Sequence, residues 1–374
     1  MARSRNFRLK IILGRVSQKL AILCIICTVL VYNEVLSYIV SGWQWPNLRN
    51  ADQDDLRVLF VADPQLVGLR DEPPLLGIIT RWDSDRYLQN GFFHAFGHVR
   101  PDVVVFVGDL LDEGSVASED EYRTYIRRFR SVFRMPATVK SVFISGDNDV
   151  GGEGFDSKQQ WKVDRFGKHF KHSKAGTDNM SVVMIKHVDF QKISVDYGEQ
   201  ISQSHIDTLT IMKTHSVARY RITCNHMPLL NRLPTEVSKI TYILQPHLIV
   251  TAHTHLFQLY RCKDCQTQES SPLQSARRGQ AVDLRNIPRP LTFNLSDTSQ
   301  LYELVIPTCS YRMGVPNMGY GAAVISKDGQ MKFDILWLPS RYRHLAVYVI
   351  TLLLVAISLL LSCFYKYIEI LSQV

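Results

Sequence analysis

The chain has no long basic stripe. A formal charge of +8 over 374 residues would suit a nucleic-acid binder if it were spread along one face. Instead Arg3, Arg5, Arg8, Lys10, Arg15 and Lys19 supply six positives in the first 19 residues, with no acidic residue among them. The remainder is close to neutral, and Arg127-Arg128 and Arg277-Arg278 read as solvated pairs, so no nucleic-acid partner is expected. Internal repeats are absent, which excludes solenoid architectures. Neither tail carries a recognisable lipidation signal. Cysteine is scarce outside the apolar ends: Cys24, Cys27 and Cys363 lie in those ends, leaving Cys224, Cys262, Cys265 and Cys309. One Cys-x-x-Cys, Cys262-Lys263-Asp264-Cys265, is too little for a four-thiolate zinc site unless Cys224 and Cys309 join it. In an oxidising compartment it reads as a disulfide at the base of a loop.

Apolar runs are concentrated at the two ends. Residues 20–32 are nearly all apolar, and the run resumes over 35–40 after Asn33 and Glu34, which is long enough to span a bilayer. The basic leader fits either a signal peptide, with Val40-Ser41-Gly42 as a fair cleavage site, or an anchor with its N-terminus in the cytosol. Trp43 and Trp45 suit the far interface. Residues 345–364 contain no charge and predict a transmembrane helix, with Tyr342 and Tyr348 near one rim and Lys366 beyond the other. The expected organisation is a cytosolic tail at 1–19, a membrane helix at 20–42, a lumenal domain at 56–338, a membrane helix at 345–364 and a cytosolic tail at 365–374. Arg341 and Arg343 would then lie on the lumenal side, against the usual charge bias, but the six leading positives outweigh them. Two sequons, Asn179-Met180-Ser181 and Asn294-Leu295-Ser296, agree with a lumenal body.

Between those ends the chain is organised around Val103-Val104-Val105-Phe106-Val107, a continuous apolar run that reads as a buried parallel strand. Gly108 ends it, and Asp109 and Asp112 follow in the loop where open α/β sheets place their chemistry. Further strands are expected at 56–62, 139–145, 181–185, 192–195, 218–223, 247–251, 304–306, 322–325 and 331–336. Helices are expected at 83–99, 118–133, 161–170 and 202–215. The second opens on Ser118-Glu119-Asp120-Glu121, a capping-box pattern. Pro73-Pro74 marks a loop, and 265–290, rich in Ser, Gln, Arg and Pro, reads as a long loop.

Four short motifs sit at the ends of these apolar runs: Asp63-Pro64-Gln65, Gly108-Asp109-Leu110-Leu111-Asp112, Gly146-Asp147-Asn148-Asp149 and His253-Thr254-His255. A fifth, Asn225-His226, follows the 218–223 strand. Together they supply the carboxylates and imidazoles that divalent ions in hydrolases require. Read singly, Asp109 also suits a helix cap, and His226 beside Pro228 a turn residue bonded to backbone. His253 and His255 are two apart and cannot both face one way in an ideal strand, whereas in a turn they can clasp a cluster from two sides.

The order Asp-x-x, Gly-Asp-x-x-Asp, Gly-x-x-Asp, Asn-His, His-x-His resembles the calcineurin-like metallophosphoesterase superfamily. That resemblance implies an α/β fold, a four-layer sandwich of two mixed β-sheets flanked by helices, over residues 56–338. It implies one ion held by Asp63, Gln65, Asp109 and His255. A second would take Asp109, Asp147, His226 and His253, with Asp109 bridging and Asp112 behind. The pattern departs from the family's at four places. Gln65 stands where His is usual, Asp147 for Asn, Asn148 for the histidine that serves the leaving group, and Ala252 for Gly. Catalytic roles are assigned to Asn148 and His226. The terminal spans and the first two motifs look like the post-GPI-attachment phosphoesterase group, which includes metallophosphoesterase 1. The group implies removal of an ethanolamine-phosphate branch from a mannose of the GPI (glycosylphosphatidylinositol) anchor, with Mn²⁺ (or Zn²⁺ or Fe) as cofactor. It also implies GPI-anchored proteins or glycolipid as partners, and residence in the ER, its exit sites or the Golgi membrane. The alternatives are a catalytically weak escort for GPI-anchored cargo, linked to export machinery, or a phosphodiesterase for another lipid-linked phosphate.

Overall fold

A computed structural model describes residues 18–48, 52, 54–170, 182–195, 201–231, 234–263, 279–285 and 287–371. It divides into two units, one formed by the two ends and the other by Gln44–Leu338.

In the first unit, α1 (Gln18–Trp43) and α8 (Arg341–Leu371) are each long and apolar enough to cross a membrane. A π-helical turn at Tyr32–Leu36 interrupts α1. It carries the polar pair that interrupts the apolar run, and both side chains find partners on α8. Glu34 Oε1 accepts from Arg341 Nη1 at 2.7 Å and from the Tyr348 hydroxyl at 2.6 Å. Asn33 Nδ2 donates to the His344 carbonyl at 3.2 Å. Arg341, one of the two residues that count against the expected orientation, is thus paired with a carboxylate.

The second unit holds β1 (Leu56–Val61), α2 (Pro74–Val99), β2 (Val103–Val107), α3 (Glu119–Val132), β3 (Lys140–Ile144), α4 (Asp147–Val150) and α5 (Gln160–His169). There follow β4 (Val182–Ile185), β5 (Val188–Lys192), α6 (Gln203–His215), β6 (Tyr220–Cys224), α7 (Pro234–Leu244), β7 (Leu248–Thr251), β8 (Gln258–Lys263) and β9 (Gln280–Ala281). The unit closes with β10 (Leu291–Asn294), β11 (Gln300–Val305), β12 (Gly319–Ile325) and β13 (Gln330–Trp337).

Two mixed sheets result, ordered β10-β13-β12-β1-β2-β3 and β4-β5-β6-β7-β11-β8-β9. β1, β2 and β3 are parallel neighbours. β2, the unbroken apolar run between the other two, is buried on both faces and needs no polar alternation, whereas β3 at the sheet edge is half-buried. Alternate residues of the three strands, Val58, Phe60, Val103, Val105 and Val142, join Phe190, Ile222, Leu248, Val250 and Leu304 of the other sheet in one core. The opposite face is sealed by aromatic rings: Phe106 lies 5.2 Å from Phe129 of α3, and Phe92 of α2 lies 5.1 Å from Phe133. α3 begins with the expected capping box, Ser118 and Glu121 each bonding the other's backbone.

Several boundaries moved. The helix expected at 83–99 begins at Pro74, because proline needs no N–H in a helix's first turn and presets its φ. The strand expected at 192–195 is Val188–Lys192, where the neighbours β4 and β6 supply the ladder. β8, β10 and α7 were not expected at all. Of the long loop at 265–290, positions 279–285 and 287–290 are described and include β9. Cys262 is disulfide-bonded, while Cys224 and Cys309 are free and buried, so those two do not complete a thiolate site. Cys265 and Asn179 lie outside the described residues, and Asn294 is exposed at the end of β10.

Candidate metal centre

The five motifs meet at the C-terminal ends of β1, β2, β3, β6 and β7. Three of them arrive on left-handed backbone. Asp63, Gln65, Asp109, His253 and His255 all have positive φ, between 38° and 68°. Non-glycine residues adopt this conformation at a cost, and such strain gathers at functional sites. Here the cost is borne by a dense backbone mesh. Gln65 N–H bonds the Asp109 carbonyl at 3.0 Å, Ala252 N–H the His226 carbonyl at 2.8 Å, and Thr308 Oγ1 the Asp63 carbonyl at 2.7 Å. The turn after β7 lets both histidines reach the cluster, which a strand could not.

One ligand atom from each of Asp109, Asp147, His226 and His253 falls within 4.8 Å of the others. His226 Nε2 is 3.2 Å from Asp147 Oδ1, 3.4 Å from Asp109 Oδ1 and 3.9 Å from Asp63 Oδ1. His253 Nδ1 is 3.2 Å from Asp147 Oδ1. Asp63 is fully buried beside this group. Gln65 faces Asp109 and His255: its Nε2 donates to Asp109 Oδ2 at 3.0 Å and lies 3.4 Å from His255 Nε2.

Orphaned polar atoms test whether a cation fits. Both carboxylate oxygens of Asp63, Oδ1 of Asp147 and Nε2 of His226 are buried without a hydrogen-bond partner. The other nitrogen of His226, Nδ1, faces the Val107 carbonyl at 2.8 Å. That acceptor places the ring proton on Nδ1 and leaves a lone pair on Nε2, aimed at carboxylate oxygens. Lone pairs facing one another in a dry site are satisfied by a proton or a cation. Without a cation the protons are held tightly. Burial alone would lower His226, yet Asp109 and Asp147 take it well above its ordinary value. Burial also raises Asp63 well above the carboxylate range. At Asp147 burial is outweighed by the two histidines, which hold its carboxyl well below that range. The donor set of carboxylate oxygen and imidazole suits divalent ions of the hydrolytic metals.

Two glycines are required for close approach. Gly108 has φ +92°, and a Cβ there would fall 2.3 Å from His226 Nδ1. A Cβ on Gly146 would fall 2.1 Å from Asp109 Oδ1.

Four further groups support the centre, and the motifs did not reveal two of them, Glu303 and Glu153. Asp149 turns away from the cluster and accepts from Gly146 N at 2.9 Å, Leu110 N at 3.1 Å and Leu111 N at 3.0 Å, tying the β3 loop to the β2 loop. Burial, then Asp109, pushes its carboxyl up to about 8. Glu303 of β11 is fully buried and accepts from Leu229 N, Leu230 N and Thr251 Oγ1 at 2.7–2.8 Å, bracing the segments that carry His226 and His253. Glu153, exposed after α4, has its carboxyl raised first by burial and then by a hydrogen bond with Asp147. No strand-end pattern marks Glu303 or Glu153. Asp112, expected behind the metals, is raised to about 6 by burial and then by Glu113, Asp71 and Asp109.

Two mixed sheets with carboxylates and imidazoles gathered at their strand ends define a metallophosphoesterase-type centre. The calcineurin-like phosphoesterase family model matches residues 56–257, just over half of the chain, and the chain belongs to that family. Among curated proteins it is similar to metallophosphoesterase 1 of Danio rerio, 30% identical over 166 residues, 44% of this chain and 41% of that one. The metallophosphoesterase 1 homolog of Drosophila melanogaster is 28% identical over 130 residues, 34% of each chain. The matches therefore span about two-fifths or less of those relatives. Among solved structures, purple acid phosphatase PPD1 from yellow lupin (Lupinus luteus) seeds aligns with TM-score 0.44 and 11% identity, over 78% of this chain and 52% of that one.

Proposed function

We propose that the chain is a membrane-held, metal-dependent phosphodiesterase that removes an ethanolamine-phosphate branch from the mannose of GPI anchors. It would work in the lumen of the early secretory pathway and support export of GPI-anchored proteins. The observation that carries the hydrolase part is the set of unpartnered buried atoms on Asp63, Asp147 and His226, whose lone pairs converge. The GPI substrate rests on the motif resemblance and on apolar helices at both ends of the domain. In this reading residues 20–42 and 345–364 span the membrane, 56–338 lie in the lumen, and 1–19 and 365–374 in the cytosol. Neutralisation of Arg341 by Glu34 removes one objection to that orientation.

Asp63, Gln65, Asp109 and His255 would hold one ion, and Asp109, Asp147, His226 and His253 the other. Bound divalent ions, manganese first with zinc or iron as alternatives, lower the pKa of a water and neutralise phosphoryl oxygens. The protein's own part is to orient and to move protons. His226 is fixed by the Val107 carbonyl, so its Nε2 always faces inward. Asn148 donates to Asp109 and cannot release a proton near neutral pH. Glu153 is the exposed carboxyl beside Asp147 and would be the side chain to supply a proton to the departing alkoxide.

One observation favours a second reading, a metal-bound but weakly catalytic escort: the Gln65 amide occupies Asp109 Oδ2, where a second ion would bind. The full chain in nanodiscs, assayed with and without Mn²⁺ on bis-p-nitrophenyl phosphate and on an ethanolamine-phosphate-bearing GPI glycan, separates them. Manganese-dependent cleavage of both supports the proposal. Cleavage of the generic ester alone removes the GPI assignment, and a folded, metal-loaded, inert protein supports the escort.

A further inference from the structure

The turn that follows α4 presents an aromatic ring to solvent beside the metal centre. Gly151, Gly152 and Gly154 all have positive φ, between 61° and 129°, so the chain reverses sharply over Glu153-Gly154-Phe155-Asp156. Asp156 N–H bonds the Glu153 carbonyl at 3.2 Å and Gly152 N–H the Asp156 carbonyl at 2.7 Å, which closes the turn. Its base is pinned from two sides. The Asp156 carboxylate takes the Lys162 ammonium of α5 and a hydrogen bond with Ser115 of the β2 loop. Its tip is Phe155, 110% exposed. A single exposed ring needs no explanation by itself, but the place of this one supplies it.

Glu153, whose carboxyl bonds Asp147, is two residues away, at most about 7 Å along the backbone. Two more large apolar side chains stand on ligand-bearing loops. Val116, 49% exposed, follows Ser115, whose N–H bonds the Asn148 carbonyl at 2.7 Å. Leu256, 46% exposed, follows His255. A molecule whose phosphoryl group sits at the centre brings its non-reacting part to these loops. The same loops carry charge: Asp112 lies three residues past Asp109, and Arg312, paired with Glu72, acts on it electrostatically. An acyl chain laid here would strip water from these groups and return no hydrogen bond. A nucleotide would bring further anionic charge against Glu72, Asp112 and Glu153. A sugar ring meets both demands. Its C–H face covers an aromatic ring, whose π face is negative, and its hydroxyls pair with carboxylate and guanidinium.

We propose that Phe155 stacks on the sugar ring that carries the phosphoester, and that this contact selects glycan-borne phosphodiesters over nucleotide-borne or simple ones. The inference rests on the phosphodiesterase reading above and names what the centre recognises besides the phosphate. The turn is suited to the task because its base is fixed through Asp156 while its tip touches nothing that a substrate would have to displace. Gly154 has open space around the position of a Cβ, so a ring can close over the turn from that side. Phe155 is a specificity-determining residue in this arrangement, whereas Glu153, two residues before it, faces the reacting end.

The test compares two ethanolamine-phosphate esters on the full chain in nanodiscs with Mn²⁺: the GPI glycan that bears the branch, and glycerophosphoethanolamine, which has no sugar ring. Phe155→Ala is expected to raise the ratio of KM on the glycan to KM on glycerophosphoethanolamine about tenfold, the worth of one aromatic contact, with kcat on the glycan within about twofold of native. Phe155→Trp keeps the native ratio. A ratio unmoved by Phe155→Ala overturns the inference, and so does an equal loss of kcat on both esters, which makes the turn merely structural. A second arm does not depend on hydrolysis. Saturation-transfer NMR on the EDTA-treated chain is expected to show transfer to the ring C–H protons of the phosphate-bearing mannose, most of it lost in Phe155→Ala. Stronger transfer to the base protons of thymidylyl-thymidine, a nucleotide phosphodiester, overturns the sugar assignment. Transfer to the mannose without cleavage of either ester refutes the phosphodiesterase reading while leaving the sugar contact standing. Cleavage of glycerophosphoethanolamine with no transfer to the mannose does the reverse.

Discussion

Asn148 holds both oxygens of Asp109: its backbone N–H donates to Oδ1 at 3.0 Å and its side-chain amide to Oδ2 at 3.2 Å. The residue in the family's proton-donor position is therefore engaged in aiming the carboxylate expected to bridge the ions. Asn148→Ala keeps the backbone bond and loses the amide, worth about 1.5 kcal/mol to a charged acceptor. The expected outcome is a rate about tenfold lower with metal still bound. Asn148→His introduces an imidazole able to donate, and a higher kcat is expected on the ethanolamine-phosphate-bearing GPI glycan, whose departing alkoxide needs a proton, with little change on bis-p-nitrophenyl phosphate, whose phenolate does not. On the GPI glycan Glu153→Gln lowers kcat with little change in manganese content.

Asp109→Ala removes the carboxylate on which both proposed metal positions depend. Loss of several kcal/mol of charge stabilisation predicts a fall in rate of about 10³-fold or more. Metal content by mass spectrometry should fall with it. A variant that retains both metals and rate contradicts the assignment.

Gly108→Ala is expected to damage the centre without touching a ligand. An alanine at φ +92° costs about 1–2 kcal/mol, and its Cβ would sit 2.3 Å from His226 Nδ1, forcing that ring off the Val107 carbonyl. Both Tm and manganese affinity should drop. Gly97→Ala is the matched control: nothing lies within 4 Å of its Cβ, and the helix gains about 1 kcal/mol.

Glu303→Ala leaves Leu229 N, Leu230 N and Thr251 Oγ1 without their buried acceptor. The expected cost is about 3–5 kcal/mol, since each orphaned donor costs about 1–3 kcal/mol. Denaturant unfolding reads the loss. Because the braced segments carry His226 and His253, metal affinity should fall as well.

Stability of the metal-free chain should decline as pH rises above neutrality. Burial raises Asp63, and raises Asp149 to about 8, while neighbouring carboxylates overcome burial to raise His226. A raised folded pKa means that the folded chain grips its proton more tightly than the unfolded one. That stabilisation is complete below the unfolded value and is lost as pH climbs through the folded value. Asp147, whose folded value is depressed, loses its contribution only in acid, as pH falls below the ordinary carboxyl range. Burial lowers His94, His169, His187, His247 and His255, which add stability as pH rises to about 6.5, so the downward trend is expected above about pH 7. A divalent ion replaces the departing protons, so the Tm gain from Mn²⁺ over an EDTA-treated sample should grow with pH. A gain that shrinks with pH contradicts the electrostatics described here.

The central strand β2 was legible because burial on both faces writes an unbroken apolar run, and the capping box of α3 because its two residues act locally. Four donors that the structure gathers, Asp109, Asp147, His226 and His253, were legible too, since each of their motifs follows a strand end. Pro74 misled because the same residue that breaks a helix interior also opens a helix, and only the packing of α2 decides between them. β8 and β10 were missed because short, half-exposed strands owe their existence to the partner that pairs with them.

Sequence alone determined which residues have the chemistry to bind metal and which segments are apolar enough to cross a bilayer, since both are properties of composition along the chain. Tertiary structure decided that Nε2 of His226 faces Asp147. It likewise placed the Gln65 amide on Asp109 Oδ2, Glu303 behind both histidine segments, and the Phe155 ring in the open. Those are relations between atoms far apart in the chain, fixed by sheet register and side-chain packing, which no local pattern encodes.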